Sequence, residues 1–332
     1  MIRVGVVRGG VSPEYDISIK TGGHVLRSLP QDKYKPVDLF LDREGMWHVN
    51  GLPADGERIR DSVDVVFNAL HGAFGEDGKA SWVFERLGLP YTGSEPEPSY
   101  VAFNKTLAKK TFQDLGMKTP RHVLFPAYNE DLDGSRDEYA EKKAQKVYET
   151  FPPPWIVKPL TGGSSMGIHV AKTYPELIRA IDQGVNLGVS VIVEEFIFGK
   201  EATVGVIDEF RNEKTYALMP IEIVIPKNKR FFDYDTKYEN TVEQRCPGNF
   251  TNQEKADLSQ MAKLIHEKLG LRHYSRTDFI VTPKNGIYVL EVNTLPGLIE
   301  ESLLPKALSA VGHPFPQFLD HVIGLAIKGN KK

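Results

Sequence analysis

Trp155-Ile156-Val157-Lys158-Pro159-Leu160-Thr161-Gly162-Gly163-Ser164-Ser165-Met166-Gly167-Ile168-His169-Val170-Ala171 holds the clearest architectural signal in the chain. Pro152-Pro153-Pro154 stops whatever helix precedes it, and residues 155–159 begin a strand. Residues 161–167 form a glycine- and serine-rich loop, and residues 168–171 return as a second strand. A strand, a glycine loop and a strand predict an antiparallel hairpin. Three glycines and two serines remove bulk from that loop and leave backbone N–H groups and hydroxyls free to wrap phosphate oxygens, with Lys158 as a nearby point charge. The spacing is not a Walker A loop, because no Gly-Lys-Ser/Thr follows. Nor is it a dinucleotide fingerprint, because both flanks are strand-like. Taken alone, the loop also reads as a plain flexible hairpin.

Upstream, strand and helix signals alternate. Residues 2–7, 35–41 and 63–70 are short apolar runs, and residues 17–29 and 78–87 between them are helix-like. Such alternation with short connections predicts a parallel sheet with helices on its faces. Residues 88–94 read as a short strand and turn, and residues 99–115 as one helix ending at Gly116. Residues 122–125 read as a strand, and the charged residues 131–150 as a solvated helix plus loop. Downstream, strands are expected at 191–198, 202–207 and 217–225, then a polar and aromatic loop over 226–249 and a helix over 252–269. Residues 276–282 and 286–293 form a hairpin around Pro283-Lys284-Asn285-Gly286, where Asn-Gly is a strong turn signal, and two helices close the chain. Three units follow, with boundaries 1–94, 95–188 and 189–332.

Composition bounds the function. A chain of 332 residues corresponds to about two or three domains. Apolar residues make up 41% and charged residues 26%, ordinary for a folded enzyme and wrong for a disordered chain. With 41 Lys plus Arg against 44 Asp plus Glu the net charge is −3, which excludes a strongly basic nucleic-acid binder by bulk electrostatics, though not a local basic patch. The longest apolar runs, such as 63–70 and 191–198, are too short to span a bilayer, and the chain opens on a strand rather than a signal segment. Its single cysteine, Cys246, excludes an intrachain disulfide framework or a cysteine-rich metal site. These features together predict a cytoplasmic enzyme.

Three further motifs carry chemistry. Alternation puts Arg276 and Asp278 on one face of their strand, and Glu291 and Asn293 on one face of theirs, and the hairpin brings the faces together. Asp, Glu and Asn are hard oxygen ligands suited to magnesium, and Arg276 beside them could stabilise an anion. A pair of solvated polar faces is the alternative. His71-Gly72-Ala73-Phe74-Gly75-Glu76-Asp77-Gly78 follows an apolar run, at the carboxyl end of a strand where parallel sheets bind ligands. Gly9-Gly10-Val11-Ser12-Pro13-Glu14 follows the first strand, and Glu14 could take a substrate ammonium. Both segments also read as ordinary loops.

Taken in order, these segments resemble the D-alanine–D-alanine ligase family of the ATP-grasp superfamily. The likeness runs along nearly the whole chain. It adds Tyr91-Thr92-Gly93-Ser94, Lys105 in a helix, Val193-Glu194-Glu195-Phe196-Ile197, Glu201 and Phe232-Asp233-Tyr234-Asp235-Thr236-Lys237-Tyr238 to the motifs above. It ends with Glu291-Val292-Asn293-Thr294-Leu295-Pro296-Gly297 and Ser302. The resemblance implies an α/β (α+β), three-domain ATP-grasp fold with an N-terminal parallel-sheet domain and ATP between the central and C-terminal domains. It implies phosphorylation of one D-alanine carboxylate, attack by the amine of a second on the acyl phosphate, and a dipeptide that feeds peptidoglycan synthesis. Two magnesium ions, with manganese as a substitute, a cytoplasmic location and a homodimer are implied with it.

The resemblance also implies roles. Lys105, Lys158, Ser165 and Lys237 match groups around the ATP phosphates. Glu194, Phe196 and Ile197 match the segment that holds adenine, and Glu201 a ribose contact. Asp278, Glu291 and Asn293 match magnesium ligands. Glu14 matches the anchor of the first substrate's ammonium, in a hydrogen-bonded triad with Ser164 and Tyr238. Arg276 and the backbone of Gly297 match donors around the tetrahedral intermediate. Ser302 matches a contact of the second substrate's carboxylate, and His71 lies at the substrate cleft. Depsipeptide-forming relatives lack the tyrosine, so Tyr238 implies a peptide product. The chain departs from the family in three places. Lys79-Ala80-Ser81-Trp82 replaces a Gln after the Glu-Asp-Gly turn, and Thr161-Gly162 stands where many members have Arg-Glu. Leu298-Ile299-Glu300-Glu301 brings two acids next to Ser302. The two acids are expected to point away, paired with a cation such as Lys306. Otherwise they make the second subsite favour a cationic substrate. The alternatives are another ATP-grasp amino-acid or dipeptide ligase with a different second substrate, or a non-catalytic nucleotide-binding protein.

Overall fold

The computed structural model describes residues 1–162, 167–224, 243–284 and 286–329. The first unit is built on β1 (Ile2–Gly9), α1 (Tyr15–Ser28), β2 (Tyr34–Leu41), β3 (Trp47–Val49), β4 (Leu52–Pro53), α2 (Gly56–Ser62), β5 (Val65–Asn68) and α3 (Lys79–Arg86). Its sheet runs β4-β3-β2-β1-β5, with β1 parallel to both β2 and β5. Val4, Gly5, Val6 and Val7 are buried in succession, the mark of a parallel strand covered on both faces. The short antiparallel edge β3-β4 was not expected, since Trp47-His48-Val49 and Leu52-Pro53 are too brief to show a period. Residues 88–94 do not form the expected strand. Tyr91 makes a single bridge to Val66, held by Val66 N–H to Pro90 O and Thr92 N–H to Val66 O. Pro90 has no N–H to extend the ladder, and Gly88 and Gly93 have φ of +67° and +98°.

The expected single helix over 99–115 is two helices, α4 (Pro96–Phe103) and α5 (Lys105–Asp114). Asn104 breaks them. Its backbone is extended, and its side-chain oxygen accepts from Thr106 N and Leu107 N at 3.1 and 3.2 Å, an N-cap that competes with continuing the helix. The next unit contains β6 (His122–Phe125), α6 (Glu130–Asp133), α7 (Arg136–Thr150), β7 (Trp155–Pro159), β8 (His169–Ala171), α8 (Tyr174–Asn186) and β9 (Val191–Glu195). The sheet β6-β9-β7-β8 is antiparallel throughout, and β7-β8 is the predicted hairpin across the glycine loop. α7 is less solvated than its charge suggested, because Tyr139, Ala140, Ala144 and Val147 form a narrow buried stripe against Trp155 and α8. β9 ends at Glu195, short of the expected 198. It lies between β6 and β7, so the boundary at 188/189 divides one hydrogen-bonded sheet.

The last unit holds β10 (Lys200–Phe210), β11 (Glu213–Ala217), β12 (Ile221–Val224), β13 (Glu243–Arg245), α9 (Asn252–Lys268), β14 (Tyr274–Thr282), β15 (Gly286–Asn293), α10 (Leu303–Ala310) and α11 (Phe315–Gly329). The sheet runs β13-β12-β10-β14-β15, with β11 also on β10. The strand expected over 217–225 is split. β11 and β12 pair successive stretches of β10, and Leu218-Met219-Pro220 steps between them because Pro220 cannot donate. β13 falls inside the expected 226–249 loop, of which residues 226–242 lie outside the described residues. A reciprocal Thr251–Glu254 capping box starts α9. Ala102, Ala108 and Phe112 of α4 and α5 pack in one core with Leu258, Ala262 and Phe279. The closing helices return to the first unit, where Phe318, Leu319, Val322 and Ile323 share a core with Val4, Val6 and Phe67. Full burial of each such side chain contributes about 1.5–3 kcal/mol, so the chain's two ends are joined by its apolar core. Among the described residues no helix is long and apolar enough to cross a membrane.

Candidate active site

One cleft of about 530 Å³ opens between the three units. β14 and β15 form one wall. Their register pairs Arg276 with Asn293 and Asp278 with Glu291, as alternation required, with a bulge after Asp278. The Arg276 guanidinium forks onto Asp278, Nε to Oδ1 at 2.9 Å and Nη2 to Oδ2 at 2.8 Å, and the Thr203 hydroxyl donates to Oδ1 at 2.5 Å. Burial acts to lower the Arg276 pKa. The Asp278 charge and hydrogen bonds outweigh it and Glu291 adds to them, so the pKa is raised and the cation is permanent. Asn293 Oδ1 accepts Leu295 N–H at 2.9 Å, which fixes the amide and leaves a second lone pair on the oxygen. Two carboxylates and an amide oxygen in register on neighbouring strands are a donor set that fits a hard divalent cation.

β7 and β9 supply the opposite wall. Lys158 Nζ lies 3.0 Å from Glu194 Oε2, and Lys109 Nζ lies 3.1 Å from Glu194 Oε1. All three side chains are buried. Burial alone would raise the Glu194 pKa, but the two ammonium groups overcome it and hold it down at about 2. Burial pushes Lys109 down to about 8, with the Glu194 charge opposing, so both groups are ionised at neutral pH. A carboxyl whose folded pKa is depressed from 4.5 to about 2 gives stability that is present above its unfolded pKa and lost as pH falls through the folded one. Fully buried, it is worth about 3 kcal/mol over that window. The stability difference between the native chain and Glu194→Gln in urea unfolding is therefore expected to shrink by about 3 kcal/mol between about pH 5 and pH 2. A constant difference across that range would contradict the assignment. Phe196 and Ile197 follow Glu194 into the cleft, and Glu201 and Lys105 also line it. Lys105 Nζ donates to Gly162 O at 2.7 Å and so ties α5 to the start of the glycine loop. Its pKa is lowered by burial, against Glu291.

The first unit closes the far end. Glu14 is the N-cap of α1, and its carboxylate lies over Gly72. Gly72 has φ +68°, and a Cβ there would stand 2.9 Å from Ser12 Oγ and 3.4 Å from Glu14 Oε1, so glycine is required for that approach. His71 Nε2 lies 2.9 Å from Thr21 Oγ1, and its Nδ1 lies 3.6 Å from Glu76 Oε1. Gly297 and Ser302 enter from the segment before α10. A Cβ on Gly297 would meet Ser302 Oγ at 2.9 Å. The expected pairing of Glu300 or Glu301 with Lys306 does not occur. Lys306 Nζ donates to Gln244 Oε1 at 2.7 Å, while both acids are exposed and Glu301 alone of the two lines the cleft.

Thus Glu14, His71, Lys105, Lys158, Glu194, Phe196, Ile197, Glu201, Arg276, Asp278, Glu291, Asn293, Gly297 and Ser302 all line one cleft. Ser164, Ser165, Lys237 and Tyr238 lie outside the described residues, so the expected triad is represented by Glu14 alone. Lys109 and Thr203 were not anticipated. Lys109 is four residues after Lys105, so the helical period puts it on the same inward face, a signal that was available in the sequence.

Residues 111–324 match the family model described as D-ala D-ala ligase C-terminus, and residues 49–94 the one described as D-ala D-ala ligase N-terminus. The chain is 34% identical over 325 residues to the D-alanine–D-alanine ligase of Geotalea uraniireducens (strain Rf4), covering 98% of this chain and 95% of that one. It is similar to the solved D-alanine-D-alanine ligase of Coxiella burnetii, with a TM-score of 0.83 and 25% identity over 100% of this chain and 96% of the other. The D-alanine–D-alanine ligase of Bacillus anthracis complexed with ATP gives a TM-score of 0.78 and 26% identity over 100% and 99% of the two chains.

Proposed function

The chain belongs to the D-alanine–D-alanine ligase family and has the ATP-grasp fold, and from that premise we propose that it joins two D-alanines with ATP as the energy source. The observation that carries the reading is the in-register Arg276-Asp278/Asn293-Glu291 hairpin facing Lys158 and Glu194, with Glu14 at the far end of the same cleft. A carboxylate resists amines because it has no good leaving group. Transfer of the γ-phosphoryl group from ATP to the first D-alanine carboxylate gives ADP and D-alanyl phosphate. The amine of the second D-alanine then forms the C–N bond, loses a proton and expels phosphate. Such a site must neutralise several phosphate charges in a closed cleft.

Roles follow from position and charge. Lys105 and Lys158 hold the ATP phosphates, together with Ser165 and Lys237. Glu194, Phe196 and Ile197 hold adenine and Glu201 the ribose. Asp278, Glu291 and Asn293 would hold magnesium, which when bound neutralises phosphate charge. Glu14 takes the first substrate's ammonium beside His71, with Ser164 and Tyr238 completing its triad. Arg276 and the Gly297 N–H stabilise the oxyanion, and Ser302 meets the second carboxylate. The three-unit division is kept, with its second boundary moved past Glu195 so that β9 stays in its sheet. ATP and D-alanine as substrates point to a cytoplasmic enzyme whose dipeptide feeds peptidoglycan synthesis, and the family likeness points to a homodimer. The test is product analysis. ATP, Mg²⁺ and D-alanine together should yield dipeptide, ADP and phosphate in equal amounts, and ATP turnover indifferent to D-alanine would sink the reading.

Glu301 on the cleft wall favours a second reading, in which the acceptor is a D-amino acid with a cationic side chain. For D-alanine as acceptor, an exposed carboxylate near its carboxylate raises KM by about two- to fivefold through solvent-screened repulsion. Glu301→Ala is therefore expected to lower the acceptor KM by about that factor, while Glu300→Ala leaves it within about twofold. A panel that includes D-lysine and D-ornithine separates the readings. Turnover of a cationic acceptor that exceeds D-alanine and collapses in Glu301→Ala would establish the second.

A further inference from the structure

Lys109 is fully buried, lies outside the cleft wall, and is given no part in the reaction above. It sits on α5 with Ala108 and Phe112, which pack into the core. Its Nζ donates to Thr119 Oγ1 at 2.9 Å and lies 3.1 Å from Glu194 Oε1, while Lys158 Nζ stands 3.0 Å from Oε2. Glu194 Oε1 is itself buried, on the Lys109 side of the carboxylate. Lys109 thus anchors Oε1 inside the protein and leaves Oε2 on the Lys158 side, where Glu194 and Lys158 line the cleft.

Two buried ammonium groups around one carboxylate leave one positive charge in excess, an arrangement that costs stability and needs a compensating use. Without Lys109, Lys158 would be the sole counter-charge of Glu194, and the pair would present no net charge to a phosphate. With Lys109 behind it, Glu194 is neutralised from the rear and the Lys158 charge is available to the cleft. The carboxylate also discriminates between bases, because Oε2, beside Lys158 in the cleft wall, keeps a second lone pair. An ionised carboxylate accepts from the 6-amino group of adenine and repels the 6-oxygen of guanine.

We propose that Lys109 is a positioning residue for nucleotide selection, which holds Glu194 as an oriented, ionised acceptor for adenine and frees Lys158 for the phosphates. This rests on the cleft being the ATP site.

The test uses the full chain with ATP and GTP as the nucleotides. Lys109→Met is expected to raise KM for ATP by about tenfold or more, as loss of a charge-assisted contact does. kcat and the D-alanine KM should stay within about threefold, and the ATP-over-GTP preference in kcat/KM should fall. In a Glu194→Gln background the same substitution should have at most about a twofold further effect, because its action runs through that carboxylate. A lowered thermal midpoint with unchanged KM for ATP and unchanged ATP/GTP preference, or an equal effect in both backgrounds, overturns the proposal. If Lys109→Met does not fold, Thr119→Val decides, since it removes the second anchor and keeps the charge. A rise of about two- to fivefold in the ATP KM with no change for D-alanine supports the role, and no rise overturns it. Calorimetric binding of ATP to the native chain separates the two levels. No binding overturns the cleft reading and the proposal together, whereas normal binding with an unaffected Lys109→Met overturns the proposal alone.

Discussion

Arg276→Met is expected to lower kcat by about 10²- to 10³-fold, or about 2.7–4 kcal/mol of transition-state stabilisation, the cost of removing one preorganised donor to a developing oxyanion. KM for ATP should stay within about twofold, because adenine and the phosphates are held mainly from the opposite wall. Methionine keeps most of the buried volume, and Asp278 keeps its bond to the Thr203 hydroxyl, so the hairpin should persist. The Arg276 pKa is raised and its guanidinium is fixed in a fork, so the wild-type group is charged at every working pH and loses no entropy when the intermediate forms. D-alanine-dependent phosphate release by the variant, with circular dichroism to verify the fold, gives the answer. A kcat within about tenfold of wild type would remove Arg276 from the oxyanion site.

Removing divalent cation is the second large effect. Chelation should suppress D-alanine-dependent phosphate release by about 10³-fold or more, since a bound metal contributes several kcal/mol of charge stabilisation, and added Mg²⁺ should restore it. Glu291→Gln should raise the Mg²⁺ concentration for half-maximal rate by about tenfold or more, with the fold intact. Glu291 is a cleaner probe than Asp278. Asp278→Asn would also strip Arg276 of its forked partner and so mix two losses. Full activity in chelator, or unaltered Mg²⁺ dependence in Glu291→Gln, would refute the assignment of this donor set.

The parts of the molecule that could be read from sequence are those in which one strong local preference acts alone. β1 and β5 carry unbroken apolar stretches at 4–7 and 65–67, β2 closes on the apolar Leu39-Phe40-Leu41, and the β14–β15 register follows from a two-residue period with an Asn-Gly turn. Errors arose where a side chain or a tertiary neighbour competed with the local pattern. Asn104 caps a helix that apolar spacing alone would have continued, and Pro220 ends one strand so that two can share β10. Sequence order places β9 with the strands that follow it and says nothing of β6 and β7, which flank it in the sheet. The cleft residues were found largely through motifs, each carrying its own chemistry. Lys109 was missed because its role depends on Glu194, 85 positions away in the chain, and on burial that no composition rule assigns to a lysine. Proximity in sequence pairs the acids at 300 and 301 with Lys306, but Gln244, brought in by a strand inside the expected loop, takes that ammonium instead.

The central claim is that the γ-phosphoryl group of ATP is transferred to the carboxylate oxygen of the first D-alanine before the peptide bond forms. The most direct test supplies D-alanine labelled with ¹⁸O in its carboxylate, together with ATP and Mg²⁺, and reads the released phosphate by mass. The expected result is one labelled oxygen in the phosphate for each dipeptide formed, with ADP as the nucleotide product. Unlabelled phosphate, or label recovered in AMP with pyrophosphate released, would contradict it.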